Sequence, residues 1–338
     1  MALYANAHKL YLASPASGHD ARTRSNGKRV RILATRAAAS SSSSAVEVAY
    51  EKGQLERPKW AGETPLSRLV GAVISFKPVY SLLKLGARQV LISTAEKNGV
   101  PWREMTRQIL ESDVYKELES IQNPSLVYPD YYLSPFHAYD EGNLSWMAAA
   151  EAEPATTSMS IRAVPDAKSA DEATQVVRGN WLEAIEKHHR QHSGGSMVRD
   201  ILDIGCSVGI STGYLANTFP SAKVTGLDLS PYFLSVAQFN ERKRSQRTAP
   251  IQWIHANGED TGLPSKSFDL ASISLMPSSK VLQNLSPVLF TLLKSTEPHL
   301  DEYYLTDLEG TLREAGFVNV TEVLTDSRHR TVTASVPH

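Results

Sequence analysis

The stretch ILDIGCSVGIST, residues 201–212, gathers the residues of this chain best placed for chemistry: Asp203, the single cysteine Cys206, and Ser207, set between Gly205 and Gly209. A cysteine at the mouth of a helix is a nucleophile when a neighbouring base or dipole ionises it. No histidine or other base is spaced to serve Cys206, which therefore reads as a small packed residue lining a loop. The loop itself follows an apolar run and opens a helical one. That arrangement turns backbone N–H groups and the positive end of a helix toward a ligand. A dinucleotide loop needs G-x-G-x-x-G, because the pyrophosphate must approach the backbone at the second glycine. Ser207 occupies that position, and the spacing is D-x-G-x-x-x-G. An acid just ahead of the turn repels a pyrophosphate and suits a ligand that carries positive charge.

Further polar positions follow in order. Asp228, with Leu229 beside it in VTGLDLS, lies 23 residues beyond Gly205, where an acid at a strand end accepts both hydroxyls of a ribose. HANGED supplies a polar turn, Asn257–Gly258, for an adenine. S-adenosylmethionine has the matching chemistry: a sulfonium, an ammonium, a ribose, an adenine and no phosphate. Each piece alone is weak, but four in the right order over about 75 residues are specific.

Residues 199–275 resemble class I S-adenosylmethionine-dependent methyltransferases, most closely the small-molecule branch of the ubiquinone/menaquinone-biosynthesis type. The preceding stretch YPDYYLSPFHAYDEGNLSWMAAAEAE resembles plant plastid members of the superfamily. The resemblance implies a cofactor site at Asp203, Gly205, Cys206, Ser207, Gly209, Asp228, Leu229, Asn257 and Gly258. Asn257–Gly258 stands where Asp-Ala is the commoner pair, a mild departure because an Asn amide still donates and accepts hydrogen bonds.

The elements that position these residues are short apolar runs at RDILDIG, SAKVTGLDLS, IQWIHANG and SFDLASISL, with helical stretches at 210–218 and 232–244 between them. Buried strands alternating with helices predict an α/β fold with a doubly wound, Rossmann-like parallel sheet. After the fourth strand the family pattern calls for a helix and a fifth strand. The chain instead runs from Met276–Pro277 into an apolar segment of helical spacing (Val281, Leu285, Val288, Leu292), and only later into FVNVTEVL and RTVTASV, a closing hairpin. The expectation is a sheet lacking its fifth strand, either as a divergent six-stranded domain or, the favoured reading, from a chain without an internal segment, whose fourth strand is left with an open edge or pairs with the hairpin.

Upstream, residues 46–192 read as a helical cap. PLSRLVGAVISFKPVYSLLKLGARQVLISTAEKNG is helical with a break at Pro78 and a stop at Asn98–Gly99. Another helix begins at Pro101, and a third spans 171–189, burying Val177, Trp181 and Ile185. HSGGS then marks the boundary of a cofactor domain over 193–338. Lys77, Lys84 and Arg88 interrupt the first helix without forming a full polar face, so it reads as an ordinary half-buried helix, with peripheral membrane contact as the alternative.

Within the cap region and ahead of the cofactor domain, residues 131–146 hold Tyr131, Tyr132, Phe136, His137, Tyr139, Asp140 and Trp146 with neither helical nor strand period. Such a loop suits a lid over an acceptor, with His137 as the candidate base that deprotonates an acceptor hydroxyl. His188 and His192 stand four apart, a zinc-compatible spacing, yet no third ligand is near. They read as a solvated helix end, and no metal site is expected.

Residues 1–37 contain seven Lys or Arg and one acid, Asp20, and the serine run 40–44 follows. Arg- and Ser-rich, acid-poor composition without a compact apolar core predicts a plastid transit peptide and linker over 1–45, cut near Arg36 or Ala37. The whole chain carries −1, so the remainder carries about −7, which opposes nonspecific nucleic-acid binding. No apolar run is long enough for a transmembrane helix. The combined expectation is methyl transfer from S-adenosylmethionine to a small-molecule acceptor in the chloroplast. The alternatives are a catalytically degenerate binding protein of the same fold and, opposed by Ser207, a nicotinamide-dependent oxidoreductase.

Overall fold

A computed structural model of the chain describes residues 32–33, 65–136, 139–244, 247, 249–274 and 306–337. Its centre is a seven-stranded sheet. The strands are β1 (Ile32–Leu33), β2 (Asp200–Ile204), β3 (Lys223–Asp228), β4 (Gln252–His255), β5 (Leu270–Ile273), β6 (Val318–Leu324) and β7 (Arg330–Ser335), in the order β4-β3-β2-β5-β1-β7-β6. β2 pairs in parallel with β3 (Asp203 opposite Gly226) and with β5 (Asp203 opposite Ser272). β3 pairs in parallel with β4. The four runs read as strands from their apolar character are the four consecutive parallel strands at this end of the sheet.

The expected vacancy beside the fourth strand is corrected. Among the described residues the sheet has five parallel strands, the fifth being β1, which pairs in parallel with β5 (Ile32 opposite Ala271) and antiparallel with β7 (Leu33 opposite Thr333). A strand from the stretch read as a transit peptide thus separates β5 from the closing hairpin, so β5 neither ends in an open edge nor pairs with β7. Neighbouring strands satisfy the N–H and C=O groups that an edge would leave unpaired. The hairpin itself forms as expected, β6 antiparallel to β7, with a bulge between Val318 and Thr321. The helical segment expected over 281–293 lies outside the described residues.

The cap consists of α1 (Pro65–Ser75), α2 (Lys77–Lys97), α3 (Trp102–Leu110), α4 (Leu118–Ile121), α5 (Trp146–Ala163) and α6 (Ala170–His192). Pro78 lies in the first turn of α2, where its missing N–H is harmless, and the chain breaks at Phe76. Asn98 caps the end of α2, and Gly99 follows at φ 82°, a left-handed angle that glycine adopts without strain. α5 and α6 are N-capped by Ser145 and Ser169, whose hydroxyls accept from the Ala148 and Glu172 amides.

Helix α6 buries Val177, Trp181 and Ile185, the predicted face. Trp181, Leu182 and Ile185 pack with Ile201, Val224 and Leu270 of the sheet and with Leu215 of the helix over 210–218. One expectation for α6 fails. His188 is only 6% exposed, and its Nε2 lies 3.0 Å from Ser335 Oγ on β7, so it is a buried tie to the sheet, with only the His192 side chain further out. The helix that carries Lys77, Lys84 and Arg88 is α2, half-buried as read: Ile92 and Ala95 are buried while Leu85 and Val90 are exposed, and α1 before it exposes Leu66, Leu69 and Val73, Leu69 at 62%.

Candidate functional site

The ends of β2, β3 and β4 converge on one patch. β2 delivers Asp203 and runs into the loop 205–209, and α7 (Ile210–Thr218) starts directly behind it. The Gly205 and Cys206 amides both donate to the Leu227 carbonyl, at 2.6 and 3.0 Å, which folds the loop down onto β3. Gly205, Ser207 and Gly209 have φ of 63°, 51° and 78°. At Gly209 the need for glycine is also steric, because a Cβ there would lie 2.5 Å from the Trp253 indole. Trp253 of β4 is partly buried and fills the space under the loop. Gly226 meets the same ring at 2.5 Å.

Ser207 is the unusual member, a non-glycine residue in left-handed backbone. Its amide donates to Asp228 Oδ2 at 2.8 Å. The Ser230 amide donates to Asp228 Oδ1 at 2.8 Å. Ser230 in turn caps α8 (Pro231–Arg244), its hydroxyl accepting from the Phe233 amide and donating to the Asn143 carbonyl of the cap. Asp228 is thereby fixed, and burial lifts its carboxyl above the usual range while the Ser230 and Ser207 amides pull it back.

Asp203 is the second buried acid. Thr212 Oγ1 donates to its Oδ2 at 2.7 Å, locking the first turn of α7 to the strand, and Oδ1 is buried without a hydrogen-bond partner. Burial raises its pKa to about 6, against the opposing pull of Thr212, the nearby Ser272 hydroxyl and Arg178. Cys206 is buried, and desolvation next to Asp228 and Asp203 pushes its thiol well above the ordinary value. Burial, reinforced by the two acids, keeps the thiol protonated, and Cys206 is not set up as a nucleophile.

At the end of β4, Asn257 turns inward on its own loop. Its Oδ1 accepts from the Glu259 amide at 3.0 Å and its carbonyl from the Asp260 amide. A Cβ on Gly258 would lie 2.8 Å from Ile204, so glycine lets this turn sit against the end of β2. Leu229 is buried, and its carbonyl lies 3.0 Å from His255 Nε2. The structure therefore brings Asp203, Gly205, Cys206, Ser207, Gly209, Asp228, Leu229, Asn257 and Gly258 together. His137 lies outside the described residues, and among the described residues no cluster of His, Cys, Asp and Glu forms a metal-binding group.

Sequence reasoning placed Tyr131, Tyr132 and Tyr139 in a lid-like loop but missed Tyr128 and the groups these tyrosines hold. Tyr128, Tyr131 and Tyr132 lie on the segment between α4 and α5 of the cap and reach His255, Glu259 and Asp228 respectively. Tyr139 and Arg88 both bond to buried Glu151, tying the loop and α2 to α5. The crowding of tyrosines over 128–139 was the available signal; the partners of Tyr128, Tyr131 and Tyr132 are more than ninety residues away and leave no local trace.

Residues 201–294 match the family model described as a methyltransferase domain. Among curated proteins, the chain is 36% identical over 88 residues to a malonyl-(acyl-carrier protein) O-methyltransferase of Paenibacillus sp. strain JDR-2, an alignment covering 25% of this chain and 30% of that protein. It is 39% identical over 75 residues to an uncharacterized phycocyanin operon protein W of Pseudanabaena tenuis, covering 22% and 66%. A magnesium protoporphyrin IX methyltransferase from Synechocystis PCC 6803, solved with bound S-adenosylmethionine, aligns over 48% of this chain and 79% of its own at 14% identity, with a TM-score of 0.30.

Proposed function

We propose that this chain, whose residues 201–294 match a methyltransferase-domain family model, is a class I S-adenosylmethionine-dependent methyltransferase that moves the sulfonium methyl of S-adenosylmethionine onto a small-molecule acceptor. One observation carries the reading: the Ser207 amide, which in a dinucleotide loop would face a phosphate, is turned onto the Asp228 carboxylate. A negative charge at that place repels a pyrophosphate and accepts ribose hydroxyls. The same charge, with Asp203 behind it, favours a cationic sulfonium ligand.

In this reading Asp228 binds the ribose, the Asn257–Gly258 turn and Leu229 flank the adenine, and the amides of the loop 205–209 border the methionyl part. The methyl leaves as the carbon–sulfur bond breaks toward a neutral thioether, and an acceptor lone pair attacks in line from the opposite side. The enzyme's share is to align the two and exclude water. Oxygen is the favoured acceptor atom, since one matched relative is named an O-methyltransferase. A hydroxyl must lose its proton in that step, and His137 is the proposed base. His137→Ala with undiminished turnover would remove it from that role.

Residues 1–37, with seven basic residues and one acid, support a chloroplast destination, which a reporter fused behind residues 1–45 tests by where it accumulates. The exposed stripe Leu66, Leu69 and Val73 on α1, followed by exposed Phe76, supports peripheral membrane contact. Sedimentation with anionic vesicles is the check, and a chain left wholly in the supernatant ends that part of the reading.

The cofactor assignment is tested by calorimetric titration of S-adenosylmethionine and, separately, NADH. Heat with the first alone is expected. Heat with NADH alone would favour an oxidoreductase, and heat with neither from a cooperatively folded chain would favour a degenerate scaffold.

A further inference from the structure

Three tyrosines within five residues each reach a different polar group above the sheet. Tyr128 Oη lies 3.1 Å from His255 Nε2, Tyr131 donates to Glu259 Oε1 at 3.0 Å, and Tyr132 donates to Asp228 Oδ1 at 3.4 Å. The Tyr128 and Tyr132 rings are stacked, 6.1 Å between centroids and 6° from parallel. The Asn123 amide donates to His255 Nδ1 at 2.9 Å, pinning the start of the strap. With the strap in place Tyr132 is 5% exposed and Asp228 only 1%. The acid that faces the ligand patch is sealed by the protein itself.

A carboxylate offers about four lone-pair positions. Asp228 has three of them filled: by the Ser207 amide, the Ser230 amide and the Tyr132 hydroxyl. A ribose diol brings two donors, so one position is free and a second is held by Tyr132. The two amide bonds, at 2.8 Å, belong to the loop and the helix cap and remain. The Tyr132 bond, at 3.4 Å, is near the outer limit for an O–H···O contact and is the weakest of the three.

We infer that the strap Tyr128–Tyr132 is a lid whose Tyr132 hydroxyl stands in for a ribose hydroxyl on Asp228, so that an adenosyl ligand reaches this acid only after the lid swings off. The inference rests on the cofactor reading given above. Apparent affinity is then the intrinsic affinity scaled by the fraction of molecules with the lid open. The Tyr131–Glu259 and Tyr128–His255 contacts hold the lid down at points away from the acid. Loosening either raises the open fraction without changing the acid's own bonds.

The test uses the full chain, with S-adenosylmethionine titrated calorimetrically into the wild type, Tyr132→Phe and Tyr131→Phe, and amide hydrogen exchange of residues 128–134 followed without ligand. Tyr132→Phe keeps the ring and removes the competitor. It is expected to bind S-adenosylmethionine roughly three- to tenfold tighter, with faster exchange of the strap amides. Tyr131→Phe is expected to move both readouts the same way by less, and it serves if Tyr132→Phe loses cooperative melting. Unchanged or weaker binding by a well-folded Tyr132→Phe, with the wild type binding normally, overturns the lid and leaves the cofactor reading standing. No binding by the wild type, with strap exchange still faster in the variants, overturns the cofactor reading and the lid's role with it.

Discussion

The two halves of the sheet are built differently. In the half β4-β3-β2-β5, strands alternate with short connections, registers run over four or five consecutive residues, and nearly every strand residue of β2 and β3 is buried. In the half β1-β7-β6, a two-residue strand from near the start of the chain pairs with residues that lie 239 or more positions later in sequence (Ile32 with Ala271, Leu33 with Ser272 and Thr333). The first half holds the ligand patch and is encoded locally. The second is assembled from the far ends of the chain. The patch should therefore tolerate injury to the second half, while the fold should not tolerate injury to the floor of the patch.

The largest expected effect falls on that floor. Gly209→Val places a branched side chain against the Trp253 ring in left-handed backbone, and Gly226→Val meets the same ring. Overpacking alone costs about 1–3 kcal/mol, and the left-handed angle at Gly209 about 1–2 more. Thermal unfolding should show Gly209→Val as the worse of the two, both with cofactor affinity lost. A Gly209→Val protein melting like the wild type would mean that Trp253 does not support the loop.

Removing β1 is next. A chain starting at Ala38 loses the ladder bonds to β5 and β7, each worth about 0.5–1.5 kcal/mol. A lower melting temperature is expected, with S-adenosylmethionine affinity unchanged within about twofold because the patch lies across β5. Loss of affinity along with stability would erase the contrast between the halves. The same truncation bears on the transit-peptide expectation, since cleavage at Arg36 or Ala37 would open the slot that β1 fills.

The smallest effect is on pH dependence. His255 is neutral in the folded chain, its pKa lowered from 6.5 by burial, although the bond to Leu229 opposes the shift. Its Nδ1 accepts from the Asn123 amide, a bond that protonation would break. A base with a depressed folded pKa favours unfolding as protons bind, so its contribution is present above pH 6.5 and is lost as pH falls below it. Asp203 has the opposite sign: with a folded pKa of about 6, it costs stability as pH rises from 3.8 toward 6. Asp203→Asn should remove that decline from the melting-temperature profile, and His255→Gln should flatten the acid limb below pH 6.5. A profile unaltered by both would show that neither group titrates differently in the folded chain.

Sequence alone exposed the four parallel strands, α7, α8, α6 and the hairpin, because each carries its own apolar period and its own stop. Asp203, Gly205, Gly209 and Asp228 were legible for the same reason: a turn between strand and helix fixes their spacing. Helix α5 was not. Its Ala-rich opening presents no apolar stripe, and Pro154 lies inside it. β1 was hidden by composition, since two apolar residues in a basic, serine-containing stretch carry no periodicity. The tyrosine strap was visible as an aromatic crowd, but its grip on Asp228 spans 96 residues of chain and only the folded structure shows it. His188 was misjudged because a histidine near a helix end looks solvated until the neighbouring strand is in place.

The most direct measurement is equilibrium dialysis of methyl-labelled S-adenosylmethionine against the full chain and its Asp228→Asn variant. Hydrogen bonds to a charged acceptor contribute about 1.5–3 kcal/mol, so the variant should bind about ten- to a hundredfold more weakly while melting as cooperatively as the wild type. Equal retention of label by the two folded proteins would contradict the account, because the acid at the end of β3 would then have no part in holding the cofactor.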